Sequence, residues 1–180
     1  MKIGITGAQG TGKTTLASIL AEVLGIPLIT EQVRKVAKDM GIESLKKVRA
    51  DIETGGVFQE ACLKYQLSVE QGLSDFISDR TTIDNAVYWL KHHAHHWPSQ
   101  VSIAYYRDAF RNIRNYNLIL YVPPELEPID DGFRDMGREH QLEIDFYIRC
   151  FLSQSGANYI TVSGSIEERV ERVLYEISRG

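Results

Sequence analysis

Two cysteines in 180 residues, Cys62 and Cys150, lie far apart and each within a helical pattern. That is too few for a disulfide framework or a cysteine-built metal knuckle. No apolar run approaches the roughly 20 residues a membrane span needs, so no membrane partner is expected. An excess of positive charge is missing too. The 20 Lys and Arg against 24 Asp and Glu leave a net charge of −4, which argues against coating nucleic acid, because such proteins present a basic face. Repeats, linkers and low-complexity tracts are absent, and the N-terminus runs straight into a strand candidate, leaving no room for a signal peptide. The expectation is a single domain over residues 1–180 in the cytoplasm.

What is present begins at residue 7. Gly7-Ala8-Gln9-Gly10-Thr11-Gly12-Lys13-Thr14 has the spacing G-x-x-x-x-G-K-T and follows the apolar strand candidate Ile3-Gly4-Ile5-Thr6. Glycines let the backbone curl so that successive N–H groups point at phosphate oxygens, and the helix that follows adds its positive dipole end. Lys13 supplies a mobile charge for the β- and γ-phosphates, and the Thr14 hydroxyl one ligand for Mg²⁺. The expected ATP contacts are Gly7, Gln9, Gly10, Thr11, Gly12, Lys13, Thr14 and Thr15.

Strands alternate with amphipathic helices from end to end. This predicts an α/β, three-layer fold with five strands in a mainly parallel sheet. The strands are 3–6, 28–29, 76–79, 118–122 and 159–162. Helices are predicted over 14–24 (closed by Gly25), 31–40, 57–71, 82–93, 98–115, a stretch through Ser153, and from Ile166, where Ser165 and Glu168 have capping-box spacing. Ligands of such sheets sit at the strands' carboxyl ends, which brings residues 7–14, Glu31, Asp79 and the segment 123–138 to one rim.

Asp79 ends an apolar strand, where phosphate-loop proteins place the acid that helps hold Mg²⁺; its alternative role is to cap the next helix. Glu31 follows the second strand, with Arg34 one turn later on the same face. Phosphoryl transfer to an alcohol benefits from a carboxylate at the nucleophile, while the alternative for Glu31 is to favour its helix through the macrodipole. The run His92-His93-Ala94-His95-His96 lacks a distant third ligand and reads as a helix C-terminus rather than a metal site. Trp89, Trp97, Tyr105, Tyr106 and Phe110 are expected in the core or the substrate cleft.

The phosphate loop, Glu31-x-x-Arg34, Asp79-Arg80 and an arginine-bearing segment after the fourth strand occur in the order found in small P-loop kinases. The chain most resembles the nicotinamide riboside kinase domain of bacterial NAD-biosynthesis proteins, and more distantly deoxynucleoside and thymidylate kinases. From the deoxynucleoside branch it departs in carrying Glu31-Gln32 in place of an E-P element. The resemblance implies an Mg²⁺-ATP-dependent kinase. Lys13, Asp79 and Arg80 would stand at the phosphates, Thr14 and Asp79 on the metal, and Glu31 at the acceptor hydroxyl. Arg134 and Arg138 would belong to a short lid over about 125–138. The expected partner is a small nucleoside-like or nucleotide-like substrate, with a homodimer as an option. A monophosphate kinase and a regulatory P-loop NTPase stay open as alternatives.

Overall fold

The computed structural model describes residues 1–44, 48, 51–125 and 137–179. Strand β1 (Lys2–Thr6) is buried after its first residue and occupies the centre of the sheet, flanked by β3 (Phe76–Asp79) and β4 (Leu118–Tyr121). Strands β2 (Leu28–Ile29) and β5 (Tyr159–Thr161) complete the order β2-β3-β1-β4-β5. All the pairings are parallel. Such strands are buried on both faces, which is why they read as continuous apolar runs rather than alternating ones.

Helices cover both faces. On one side α1 (Lys13–Leu24) and α7 (Ile166–Arg179) press Leu16, Leu20 and Val173 onto Ile3, Ile5, Leu118 and Leu120. On the other side α4 (Thr82–His92), α5 (Ser99–Ile113) and α6 (Arg138–Ser155) pack Ile83, Val87, Ile113, Ile144 and Ile148 against Phe76, Ile119 and Tyr121. Neighbouring strand residues alternate between these two cores, as the pleat requires. Beyond the β2 edge, α2 (Gln32–Asp39) and α3 (Ile52–Gln71) share a smaller cluster of Val36, Ala37, Phe58 and Cys62.

Helix α3 differs from the sequence expectation. It begins at Ile52, five residues before Val57, with Asp51 as its N-cap accepting from the Thr54 N–H at 3.0 Å. Gly55 and Gly56 read as helix breakers, yet they lie inside the helix because other groups need the room. A Cβ on Gly55 would stand 2.5 Å from the His93 ring, and one on Gly56 2.3 Å from the Trp97 indole. The glycines buy close packing of α3 against the end of α4, a tertiary requirement without local signal. The last helix, by contrast, starts as its spacing predicts: Ser165 N–H donates to Glu168 at 2.7 Å and Glu168 N–H to Ser165 at 3.2 Å.

Parallel register sets the rim. Ile5 is paired with Asp79 and Thr6 with Tyr121, so β1, β3 and β4 all end level with the start of the loop 7–12. Glu31 follows β2 at the same edge and is the N-cap of α2.

Candidate active site

The loop after β1 is tied in from behind. Gly7, at φ 151°, brings its backbone so near β4 that a Cβ there would lie 2.3 Å from the Val122 carbonyl. Three of the loop's carbonyls are held by side chains. Ala8 O accepts from Lys13 Nζ at 2.5 Å and from Thr11 Oγ1 at 3.1 Å, Gln9 O from Gln141 Nε2 of α6 at 2.7 Å, and Thr11 O from Arg169 of α7 at 2.7 Å. A second guanidinium nitrogen of Arg169 meets Glu125, just past β4, at 2.7 Å. Gln9 and Thr11 are buried, whereas Gly10, Gly12, Thr14 and Thr15 face outward. Gly12, left-handed at φ 85°, is the N-cap of α1 and makes no side-chain cap bond, so the first-turn amides are available to an anion.

Thr14 and Asp79 meet: the hydroxyl donates to the Asp79 carboxylate at 2.6 Å. Asp79 is not the helix cap. Thr81 takes that role for α4 in a full capping box with Asp84. The pair offers hard oxygen donors, a set that suits Mg²⁺ ligated by few protein groups and completed by phosphate oxygens and water. Among the described residues no group of three or more His, Cys, Asp or Glu side chains is placed to hold a metal. His93 instead lies buried, its ring 5.8 Å from that of Trp89.

Among the described residues Arg80 is the one non-glycine residue with positive φ, 91°. Its guanidinium is buried and doubly paired: Nε lies 2.5 Å from Glu31 and a terminal nitrogen 3.2 Å from Asp84. It also sits 5.6 Å over the Tyr88 ring. Burial opposes its charge, but Glu31 foremost, then Tyr88, Asp84 and Asp79, hold the guanidinium pKa well above its ordinary value. Glu31 makes no capping bond to α2; it is turned toward Arg80, with exposed Arg34 4.0 Å away. Lys13 is pushed down to about 8, first by burial and then by Arg80, while Asp84, Asp79 and Glu31 pull it back up. The loop and the Arg80 cluster therefore form one electrostatic site.

Beside it lies a narrow cleft, continuous with solvent and walled by Glu31, Arg80, Asp84, Asn85, Phe58 and Tyr88 among others. The aromatic residues named from the sequence are elsewhere. Trp89 is fully buried, its ring 4.4 Å from Tyr105 in a satellite of the core with Trp97, Tyr106 and Phe110 around it. Phe58 and Gln59 lay inside the predicted helix 57–71, and Asp84, Asn85 and Tyr88 inside that over 82–93, where periodicity alone does not tell a pocket wall from a core face.

Arg138 is the first residue of α6. It donates to Gln141 at 2.5 Å and to the Pro124 carbonyl at 3.3 Å, one side chain removed from the phosphate loop. Arg134 and the rest of the expected lid segment, 126–136, lie outside the described residues.

A family model described as an AAA domain, AAA_28, matches residues 2–169. The chain belongs to this AAA-domain family. No curated protein matches it in sequence. Among solved structures, this AAA domain is similar to deoxyadenosine kinase from M. mycoides with bound dCTP, at TM-score 0.72 and 17% identity over 100% of both chains. It is also similar to the NadR protein in complex with NR, at TM-score 0.68 and 24% identity over 98% of this chain and 50% of that one. Shikimate kinase from Aquifex aeolicus vf5 matches at TM-score 0.61 and 16% identity over 99% and 96%. At these identities the likeness is one of fold, and the fold of the AAA domain is that of the P-loop kinases.

Proposed function

We propose that this AAA domain is an ATP-dependent phosphotransferase acting on a hydroxyl of a small nucleoside-like acceptor. The observation that carries the reading is the placement of Glu31. It is fixed by Arg80 at 2.5 Å in the wall of a pocket whose charges act directly on Lys13. An acceptor in that pocket presents its hydroxyl to the Glu31 carboxylate beside the phosphates of ATP, and alignment of this kind supplies most of the catalysis in phosphoryl transfer. Lys13 and the amides at the start of α1 hold the triphosphate. Arg138, and Arg134 by its place in the sequence, are assigned to phosphate neutralisation. Thr14 and Asp79 would hold Mg²⁺, which would supply positive charge against the phosphates.

Charge in the pocket favours a neutral or cationic acceptor over a phosphate monoester. Among the described residues lining it, Arg80 is the one lysine or arginine, and two carboxylates already engage it. A monophosphate would bring negative charge against Glu31 and Asp84, which is unfavourable in a partly desolvated site. Phe58 and Tyr88 put two aromatic side chains, both largely buried, in the pocket wall. The structural likeness to the NadR protein in complex with NR agrees with an acceptor of this size.

A coupled ADP-release assay with NR, deoxynucleosides, shikimate and nucleoside monophosphates tests the reading. Turnover with a neutral or cationic hydroxyl compound is expected. Turnover with monophosphates alone would remove Glu31 from its role, and hydrolysis indifferent to every acceptor would sink the kinase reading.

A further inference from the structure

Behind the rim, α3 carries a buried acid that the phosphoryl-transfer reading leaves without a task. Glu70 is 2% exposed, and its hydrogen-bond partners are neutral donors. Gln66 at 2.8 Å, Tyr116 at 2.7 Å and Ser78 at 3.4 Å donate to one oxygen, and Asn112 at 2.5 Å to the other. Burial pushes the Glu70 carboxyl pKa up while those four donors pull it down. Placing a carboxylate among neutral groups is unfavourable unless every donor is well aimed, so the arrangement calls for a reason.

Gln66, one turn earlier and also buried, supplies one. Its amide nitrogen donates to Glu70 and also reaches the Arg80 carbonyl at 3.1 Å and Ser78 at 3.2 Å, while its oxygen accepts from Asn85 at 3.2 Å. Glu70, when ionised, accepts only, so Gln66 must turn its NH₂ toward it. The same NH₂ then meets the Arg80 carbonyl. On the other side the Arg80 N–H is bonded to Ile5 O at 3.0 Å. The backbone of Arg80 is thus clamped from both ends in a conformation that side-chain-bearing residues avoid.

We propose that Gln66 and Glu70 are positioning residues for phosphoryl transfer. By orienting the Gln66 amide, Glu70 holds the Arg80 carbonyl. This keeps residue 80 left-handed, with its guanidinium on Glu31 and Asp84 and the preceding Asp79 carboxylate on Thr14. Neither residue touches substrate. The inference rests on the kinase reading above.

The test is a mutant cycle on kcat. Gln66→Met removes the amide at similar volume, and Glu70→Gln permits Gln66 to flip and set its oxygen against the Arg80 carbonyl. Expected losses in kcat are about tenfold and about threefold, with KM for ATP and acceptor within about twofold. In an Arg80→Lys background, which already frees residue 80's side chain from its fork on Glu31 and Asp84, each change should slow the enzyme by clearly less than it does in the wild type. Independent, multiplying losses, or a raised KM at unchanged kcat, would overturn the proposal. If Gln66→Met does not fold, Glu70→Gln carries the test, since it keeps size and polarity; where Arg80→Lys is too slow to measure, the split between kcat and KM decides. A wild type inactive on every acceptor overturns the kinase reading and this inference together, whereas an active wild type with multiplying losses overturns this inference alone.

Discussion

Lys13 is the residue at which the physics of the site is most directly measurable. Without ligand its ammonium is buried, bonded to the Ala8 carbonyl and Thr11 hydroxyl, and pushed down to about 8. Phosphate oxygens favour the charged form, so nucleotide binding must restore a proton to whatever fraction has lost it. Above pH 8 that fraction is large, and binding of a non-hydrolysable ATP analogue should take up protons; near pH 6.5 Lys13 contributes none. Calorimetry in two buffers of different ionisation heat reads this directly, and affinity should fall as pH rises through 8 and beyond. Lys13→Ala is expected to lower turnover by at least about 100-fold while leaving the thermal midpoint within a few degrees, because it removes a phosphate contact and a desolvated charge together. Asp79→Asn should raise the Mg²⁺ concentration needed for half-maximal activity by about tenfold and spare metal-free nucleotide binding, measured by titration. The loop lysine and Thr14 are legible from spacing alone, since the motif encodes its own conformation. The hydrogen bond from Thr14 to Asp79 is not, because 65 residues separate them in the chain.

Among the elements, α3 shows how local rules are overridden. A glycine inside a helix ordinarily gains about 0.5–1 kcal/mol of stability on replacement by alanine. At Gly56 the sign should reverse. The added Cβ falls 2.3 Å from the Trp97 ring, so Gly56→Ala is expected to destabilise by about 1–3 kcal/mol through overpacking, read by urea denaturation at unchanged m-value. The start of α3 could not be read because the competing signal, a Gly-Gly pair, is a local one and its explanation lies on another helix. Where the signal and its partner are neighbours, as in the Ser165–Glu168 box of α7, the sequence is sufficient. Helix α4 is intermediate. Its extent is plain from periodicity, but Asp84 serves both the capping box and Arg80, and only the second use bears on the site.

At the scale of the whole molecule, the phosphate loop is held by helices from opposite faces of the sheet. Gln141 of α6 engages the Gln9 carbonyl and Arg169 of α7 the Thr11 carbonyl. Loop geometry is therefore coupled to the docking of the C-terminal third of the chain. Arg169→Ala should weaken binding of the ATP analogue by about fivefold to tenfold without touching the nucleotide, because a preorganised loop must then be ordered at the moment of binding. Fluorescence titration checks the loss, and an unchanged Kd would show the loop to be rigid by itself. The sequence alone determined the αβ alternation, the parallel sheet, the phosphate loop and the acids at strand ends. Those features are written in periods of two and 3.6 residues or in contiguous words, and they need only their neighbours in the chain. Tertiary structure decided which acid faces which cation, that Phe58 and Tyr88 rather than the tryptophans wall the pocket, and that Arg80 is clamped by α3. These depend on distances between segments, which parallel register and helix packing fix only once the whole chain has folded.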